Sequence, residues 1–413
     1  MLQTGLLVAL GWWPSATYPL PAILIFLGAF TVYLAGASHI LDRAGGGVLI
    51  WVFAIVMRLV FLPLTPELSD DIYRYLWDGH VQLSGVNPYL YPPAAPELAT
   101  FRTSWHGFVN NPHVSTIYPP FAQIAFLLIA LAGGAILQAK LLWIGLDLAT
   151  GWALGRIAYL TGRSRRLTTF LYLWSPLLLV EVAWSGHLEP LGIFPLMLLV
   201  LLARAPLAAG AAGALSALVK FAPLAAVPPL TRRLGRRFLV GMAVTLVVFY
   251  LPYAGAGRHL FDGLLTYAQR WRFMEGPFAL LESVLPYSLA RWGAAAVVLA
   301  VVIWTTLQRY RPERALFWIL GTGLLMSPTL HPWYVLWILP FAALRLSRPW
   351  ILMTGLAFLG YYGYGAYSQG GIWDQPAWIR LLMWAPVLAL LLLDGARLWR
   401  DRVPLRQPLS EEI

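Results

Sequence analysis

The residues of this 413-residue chain that could do chemistry gather in one polar island, Ser69 to Pro93, which reads SDDIYRYLWDGHVQLSGVNPYLYPP. It holds three of the 18 acidic residues, Asp70, Asp71 and Asp78, beside Arg74, His80, Gln82 and Asn87 and the rings of Tyr73, Tyr75, Trp77, Tyr89 and Tyr91. Carboxylate, amide and guanidinium groups are partners for hydroxyls, and aromatic rings pack on the apolar face of a pyranose, so this is the mixture a carbohydrate site needs. An amphipathic helix lying on a bilayer would explain the charges but not this density of paired acids and rings. Asp70 and Asp71 are adjacent. Adjacent carboxylates raise one another's proton affinity, and the sequence leaves open which one is aimed inward. The three aspartates also resemble an oxygen-ligand set for Mg or Mn, but their spacing is not diagnostic: a divalent metal is possible but not favoured, and no other cofactor is expected.

Outside the island, four stretches place ionisable residues in or beside apolar runs. The first, Glu181 to Pro190, puts a glutamate within an apolar run and Ser-Gly-His187-Leu-Glu189 at its end. A charge left unpaired in a bilayer costs at least about 2.5–3.5 kcal/mol, so such residues are functional candidates by default; a purely structural ion pair is the alternative for Glu181. The second, Ser327 to Tyr334 (SPTLHPWY), sets His331 between prolines at the start of a helix, with Tyr334 beside it. The third is the loop carrying Arg270 and Arg272, with Arg258 nearby. Guanidinium groups there either bind a phosphate or are simply solvated at the surface. Lys220, one of only two lysines, sits in Lys-Phe-Ala-Pro within another apolar run and is either a phosphate-binding cation or a lysine snorkelling from an ordinary helix.

Composition dictates the elements that must position these groups. Hydrophobic residues make up 59% of the chain and charged ones 11%, far below the roughly 25% charged of a soluble domain. Apolar runs of about 20 residues recur from end to end, so the expected fold is all-α: a polytopic transmembrane helical protein with about eleven to fourteen crossings, forming a single domain over 1–413. Its two long hydrophilic connections, 65–120 and 253–289, are too small to be domains. The first carries the island and its amphipathic helices. MLQTGLLVALGWWP at the start lacks a charged leader region, so it reads as a short first membrane segment and not as a removable signal. The absence of cysteine excludes disulfides, thiolate metal sites and a cysteine nucleophile.

The net charge of +11 does not call for nucleic acid, because the arginines cluster in short loops at 163–166, 232–237, 309–314 and 397–406. Positive-inside bias puts those loops in the cytoplasm, as it does Arg43 and Arg345, and turns the island outward. Two runs break the parity. Leu207 to Leu230 must turn back on itself, which we read as a re-entrant hairpin broken near Lys220-Phe221-Ala222-Pro223. Counting both apolar runs between Phe121 and Leu160 as crossings breaks the parity as well, and the sequence leaves this conflict open.

The island resembles the first outward loop of the GT-C superfamily of integral-membrane glycosyltransferases, in particular bacterial polyprenyl-phosphate-mannose-dependent mannosyltransferases. The likeness lies in S-D70-D71-I-Y-R-Y-L-W-D78-G, G85-V-N-P-Y89 and the closing Y118-P-P, and weaker echoes follow in S185-G-H187-L-E189, K220-F-A-P and H331-P-W-Y. The resemblance implies an inverting transfer of a hexose, mannose by that likeness, from a polyprenyl-phosphate-sugar donor to a periplasm-facing glycolipid or glycan, in a bacterial inner membrane. It puts the base on Asp70, with Asp71 as rival. Arg74, Trp77, Asp78, Asn87, Tyr89, His187, Glu189, His331 and Tyr334 would shape the substrate site, and Lys220, Arg270 or Arg272 would hold the donor phosphate. A transporter or flippase of lipid-linked sugars is the competing class; it would place its charges near the midplane in two related halves, and no internal repeat is present.

Overall fold

Within a bilayer a helix pairs every backbone polar group inside its own segment, and the apolar runs of this chain fold accordingly. The structure is a computed structural model that describes residues 2–15, 17–41 and 46–400. Among the described residues it is all helical, apart from a single bridge between Phe273 and Thr329. The chain opens with α1 (Leu2–Trp12), α2 (Pro19–Leu41) and α3 (Gly47–Phe61), and the island becomes α4 (Asp71–Leu83). Then come α5 (Pro120–Leu131), α6 (Ile136–Leu160), α7 (Arg165–Leu173), the short α8 (Pro176–Leu178) running into a π-helical turn at Leu179–Trp184, α9 (Glu189–Leu201) and α10 (Pro206–Ala217). After these are α11 (Val227–Leu234), α12 (Arg236–Tyr250), α13 (Asp262–Arg270), α14 (Pro277–Glu282), α15 (Tyr287–Leu307) and α16 (Pro312–Leu325). The chain closes with α17 (Leu339–Arg345), α18 (Arg348–Leu356), α19 (Tyr364–Tyr367) and α20 (Ala377–Arg400).

Five helical stretches among the described residues are long and apolar enough to cross a membrane unbroken, and a sixth, Arg165 to Trp184, is bent by 45°. Five apolar helices are shorter, including α3, α5, α9 and α10. Proline and glycine cut the other runs, so not all of the expected eleven to fourteen crossings are straight, full-length helices.

Both parity conflicts have a geometric answer. α5 has 12 residues, about 18 Å at 1.5 Å per residue, too short to span. It ends in a turn at Gly133 and Gly134, both with positive φ. α6 then starts beside the C-terminal end of α3, where Lys140 Nζ donates to the carbonyls of Phe61 (3.3 Å) and Leu64 (2.5 Å). Both ends of α5 therefore lie on the side of the island, and α6 alone is the crossing between Phe121 and Leu160. α10 is equally short and packs on α9. Lys220 follows its end, meets Glu189 at the start of α9, and is succeeded by the turn Ala222–Ala226 and by α11. The run from Leu207 to Leu230 is thus a hairpin with Lys220 near its tip and Arg232 and Arg233 at its return.

Two of the arginine loops come together at Arg345, whose guanidinium feels the charges of both Arg314 and Arg163. The chain leaves that end through α16, reaches His331, and returns through α17. Arg43, Arg402 and Arg406 lie outside the described residues. In the buried interior Arg58 on α3 donates to Asp147 on α6 (2.6 Å), to Leu173 O at the end of α7 (3.1 Å) and to its own Ala54 O (2.8 Å), fastening three helices around one ion pair.

Candidate functional site

α4 starts where the site starts. Asp70 holds the N-cap position, yet its carboxylate makes no cap bond. Ser69 Oγ accepts the N–H of Asp71 (3.2 Å), the first residue of α4, while the Asp70 carboxylate turns to other donors. Both Asp70 and Asp71 line a cavity of about 230 Å³. Asn110 Nδ2 donates to Asp70 Oδ1 (2.9 Å) and Asp71 Oδ1 (2.6 Å), and the Tyr367 hydroxyl donates to Asp70 Oδ2 (3.0 Å). Burial pushes the Asp70 carboxyl above the usual range, against the pull of the Asn110 and Tyr367 hydrogen bonds. Asp71 is also raised by burial and by the charge of Asp70, while His187 pulls it down. Of the two, Asp71 stands nearer the imidazole, with its Oδ2 3.8 Å from His187 Nε2.

Of the residues singled out from sequence, Arg74, Lys220, Arg272, His331 and Tyr334 line the same cavity as the two aspartates. Tyr118, Trp271, Trp333 and Trp373 add a largely aromatic wall. Lys220 ion-pairs with the buried Glu189 and lies over the Tyr334 ring at 4.1 Å. Arg272 is tied to Glu275 (3.1 Å) and also to Glu282. Burial, followed by the charges of Lys220 and His187, pushes the His331 imidazole down to about 3, so at neutral pH it is uncharged.

The other candidates lie outside the cavity lining, and most of them build its frame. Asp78 accepts from Arg74 (3.0 Å) and from Gln123 (3.0 Å), so it holds Arg74 and does not converge with Asp70 and Asp71. Among the described residues no three acidic or histidine side chains come together as a metal site would require. Trp77 is buried among Val81, Ala95, Leu98 and Val109. Asn87 donates to Tyr253 O (3.3 Å), and the Tyr89 hydroxyl to Tyr118 O (2.7 Å), which fixes a residue of the wall. Arg270 is exposed at the end of α13. His187 and Glu189 are fully buried behind the cavity.

Sequence reasoning missed Asn110, Tyr367, Trp373 and Tyr267. A signal existed for one of them: the run Tyr361 to Tyr367, YYGYGAY, is an odd concentration of rings and glycines at the end of an apolar stretch. Nothing in the local sequence marks Asn110.

Two close approaches seat α4. Gly79 faces the backbone of α5, where a Cβ would stand 2.2 Å from Phe126 O. Gly186 has φ +76°, and a Cβ there would stand 2.5 Å from Ile72 Cδ1 in the first turn of α4. Gly186→Ala therefore combines about 1–2 kcal/mol of left-handed backbone strain with a push on that turn. The expected result is a large loss of transfer with a lowered unfolding temperature in detergent; unchanged values for both would show that the turn accommodates the methyl group.

An apolar groove of about 360 Å³ adjoins the cavity and shares Ile117, Tyr118, Lys220, Tyr267 and Tyr334 with it. The groove runs between α15, α16 and the segment after Lys220 and is lined by Phe221, Leu264, Val298, Ile319 and Leu324. The hydroxyls of Tyr267 and Tyr334 meet at 2.5 Å on the boundary between the two. A charged lysine, two acids and a wall of rings thus open onto an apolar trough.

Neither characterised proteins nor solved structures give a match to the chain. The family model described as alpha-(1->6)-mannopyranosyltransferase, N-terminal domain, matches residues 6–234, more than half of the chain, a range that includes Asp70, Asp71, Asn110, His187 and Lys220. The chain belongs to this alpha-(1->6)-mannopyranosyltransferase family and is a multi-pass membrane mannosyltransferase.

Proposed function

We propose that the protein transfers mannose, with inversion, from a polyprenyl-phosphate-mannose donor to a glycolipid or glycan acceptor at the periplasmic face of a bacterial inner membrane. The observation that carries this reading is the shared boundary of cavity and groove. A lipid-phosphate-sugar has an apolar tail, an anionic middle and a hydroxyl-rich head in that order. The groove, Lys220 and the aspartate-lined aromatic cavity follow the same order.

In this reading Asp70 takes the proton of the acceptor hydroxyl as that oxygen attacks the anomeric carbon. The bond from that carbon to the phosphate oxygen breaks, and the polyprenyl phosphate leaves with the electron pair. Lys220 meets the charge that grows on the phosphate, so the reading needs no metal. Asp70 is preferred to Asp71 because Asp71 faces the buried His187 (3.8 Å), whereas Asp70 is held by Asn110 and Tyr367 at the cavity. Convergence of Arg163, Arg314 and Arg345 supports a cytoplasmic end for those loops and an outward cavity. The transporter reading loses its support with the family assignment, which is that of an enzyme.

The test compares two donors presented to membranes containing the protein, polyprenyl-phosphate-[¹⁴C]mannose and a nucleotide-linked [¹⁴C]mannose, and measures label in extracted glycolipid and glycan. Label from the lipid donor alone is expected. Transfer from the purified protein with the nucleotide donor alone would overturn the lipid-donor reading.

A further inference from the structure

Behind the cavity lies a second layer of polar groups for which the transfer step has no use as written. Glu181, in the π-helical turn after α8, and His187 are both fully buried, and Glu181 Oε2 stands 2.9 Å from His187 Nδ1. Tyr361 donates its hydroxyl to both Glu181 oxygens, at 2.9 and 3.0 Å. On its other side His187 Nε2 reaches Ser69 Oγ at 3.0 Å, the atom that also accepts the Asp71 N–H. The imidazole stacks on Trp333 at 4.0 Å. One chain of contacts therefore runs from Tyr361 through Glu181, His187 and Ser69 to the turn that presents Asp70 and Asp71.

We infer that Glu181 is a positioning residue for transfer: it holds His187 as an imidazolium that clamps Ser69 and thereby aims the first turn of α4 into the cavity. The inference rests on the reading of Asp70 as base. Both imidazolium nitrogens donate, one to the Glu181 carboxylate and one to Ser69 Oγ, and this leaves the Ser69 hydroxyl proton free to bond outward. Acidic neighbours dominate around the ring: Glu181 beside it, Asp70 and Asp71 from α4, and Glu189 from the start of α9. His331, before the 3₁₀ turn Pro332–Trp337, is uncharged, and the cations opposing them in the cavity are Lys220, Arg74 and Arg272. Burial works against the charged ring, but the hydrogen bond and charge of Glu181, followed by the charges of Asp71 and Glu189, outweigh it and raise the His187 proton affinity. A π-helical turn is a frequent device for aiming one side chain at a functional site, and here it turns Glu181 toward His187.

The test measures kcat/KM for mannosyl transfer across pH for wild type, Glu181→Gln, Glu181→Asp and Tyr361→Phe, with Asp70→Asn as control. Glu181→Gln removes the charge that holds the proton, so kcat should fall about tenfold or more near neutral pH with donor KM little changed. Its alkaline limb should move to lower pH, with Glu181→Asp restoring part of the shift. Tyr361→Phe keeps the charge but frees the carboxylate from a competing donor, so its limb should move the opposite way. Profiles that superimpose on wild type, or losses equal at every pH, would overturn the inference. Where Glu181→Gln fails to accumulate, the direction of the Tyr361→Phe shift decides by itself. Full activity in Asp70→Asn would instead remove the base assignment on which the inference stands.

Discussion

Asp70→Asn is expected to reduce mannosyl transfer about a thousandfold, within the range set by removal of a general base. The substitution preserves shape. Asparagine is as good an N-cap as aspartate, its side-chain oxygen can still accept one of the bonds now given by Asn110 and Tyr367, and the N–H of Asp71 is already served by Ser69. The protein should therefore accumulate and unfold as wild type does, and the loss should appear in kcat. Asp71→Asn should cost less, because that carboxylate is turned toward the buried His187. Burial holds the Asp70 carboxyl above the ordinary carboxylate range. The base is active only when ionised, so transfer is present above that raised value and lost as pH falls through it. The acid limb of the rate profile should thus lie above the pH expected for a solvated aspartate and disappear in Asp70→Asn. Equal labelling of glycolipid by Asp70→Asn and wild-type membranes would reject the assignment.

Lys220→Gln carries the second large effect, and its argument has two parts. At the cavity boundary Lys220 supplies the positive charge nearest the groove, so its loss should lower kcat for a phosphate-leaving donor about a hundredfold. The same substitution leaves Glu189 fully buried without its cation, and breaking a buried pair in this way costs about 3–5 kcal/mol. A bare loss of activity would confound the two. The double variant Lys220→Gln with Glu189→Gln separates them, since two amides can bond to one another without either charge. The double variant should recover the unfolding temperature and remain inactive. Recovery of activity with stability would make Lys220 a structural partner of Glu189 and nothing more.

Much of this protein was legible before any coordinates. The all-helical class follows from apolar runs of about 20 residues, the length of a spanning helix, where a barrel would need alternating strands of about 10 residues. The crowding of Asp70, Asp71 and Arg74 among rings marked residues that line the cavity, and the break at Lys220 followed from a proline in an apolar run together with the parity of the arginine loops. Each of these is a local property of the chain.

Tertiary structure decided what depends on distance between segments. It divided the island, sending Asp70, Asp71 and Arg74 to the cavity and Trp77, Asp78, Asn87 and Tyr89 to the frame, because successive helical residues face different directions and only packing chooses which face is inside. It cut the run from Phe121 to Leu160 at Gly133 and Gly134, leaving α5 too short to cross; hydropathy registers apolarity and is blind to a turn between two apolar stretches. It brought Asn110 and Tyr367 onto Asp70, and Tyr361 onto Glu181, across separations of 40, 297 and 180 residues. No local pattern encodes such meetings. They arise because buried carboxylates must find donors, and the donors available are those that the folded helices carry to the same point.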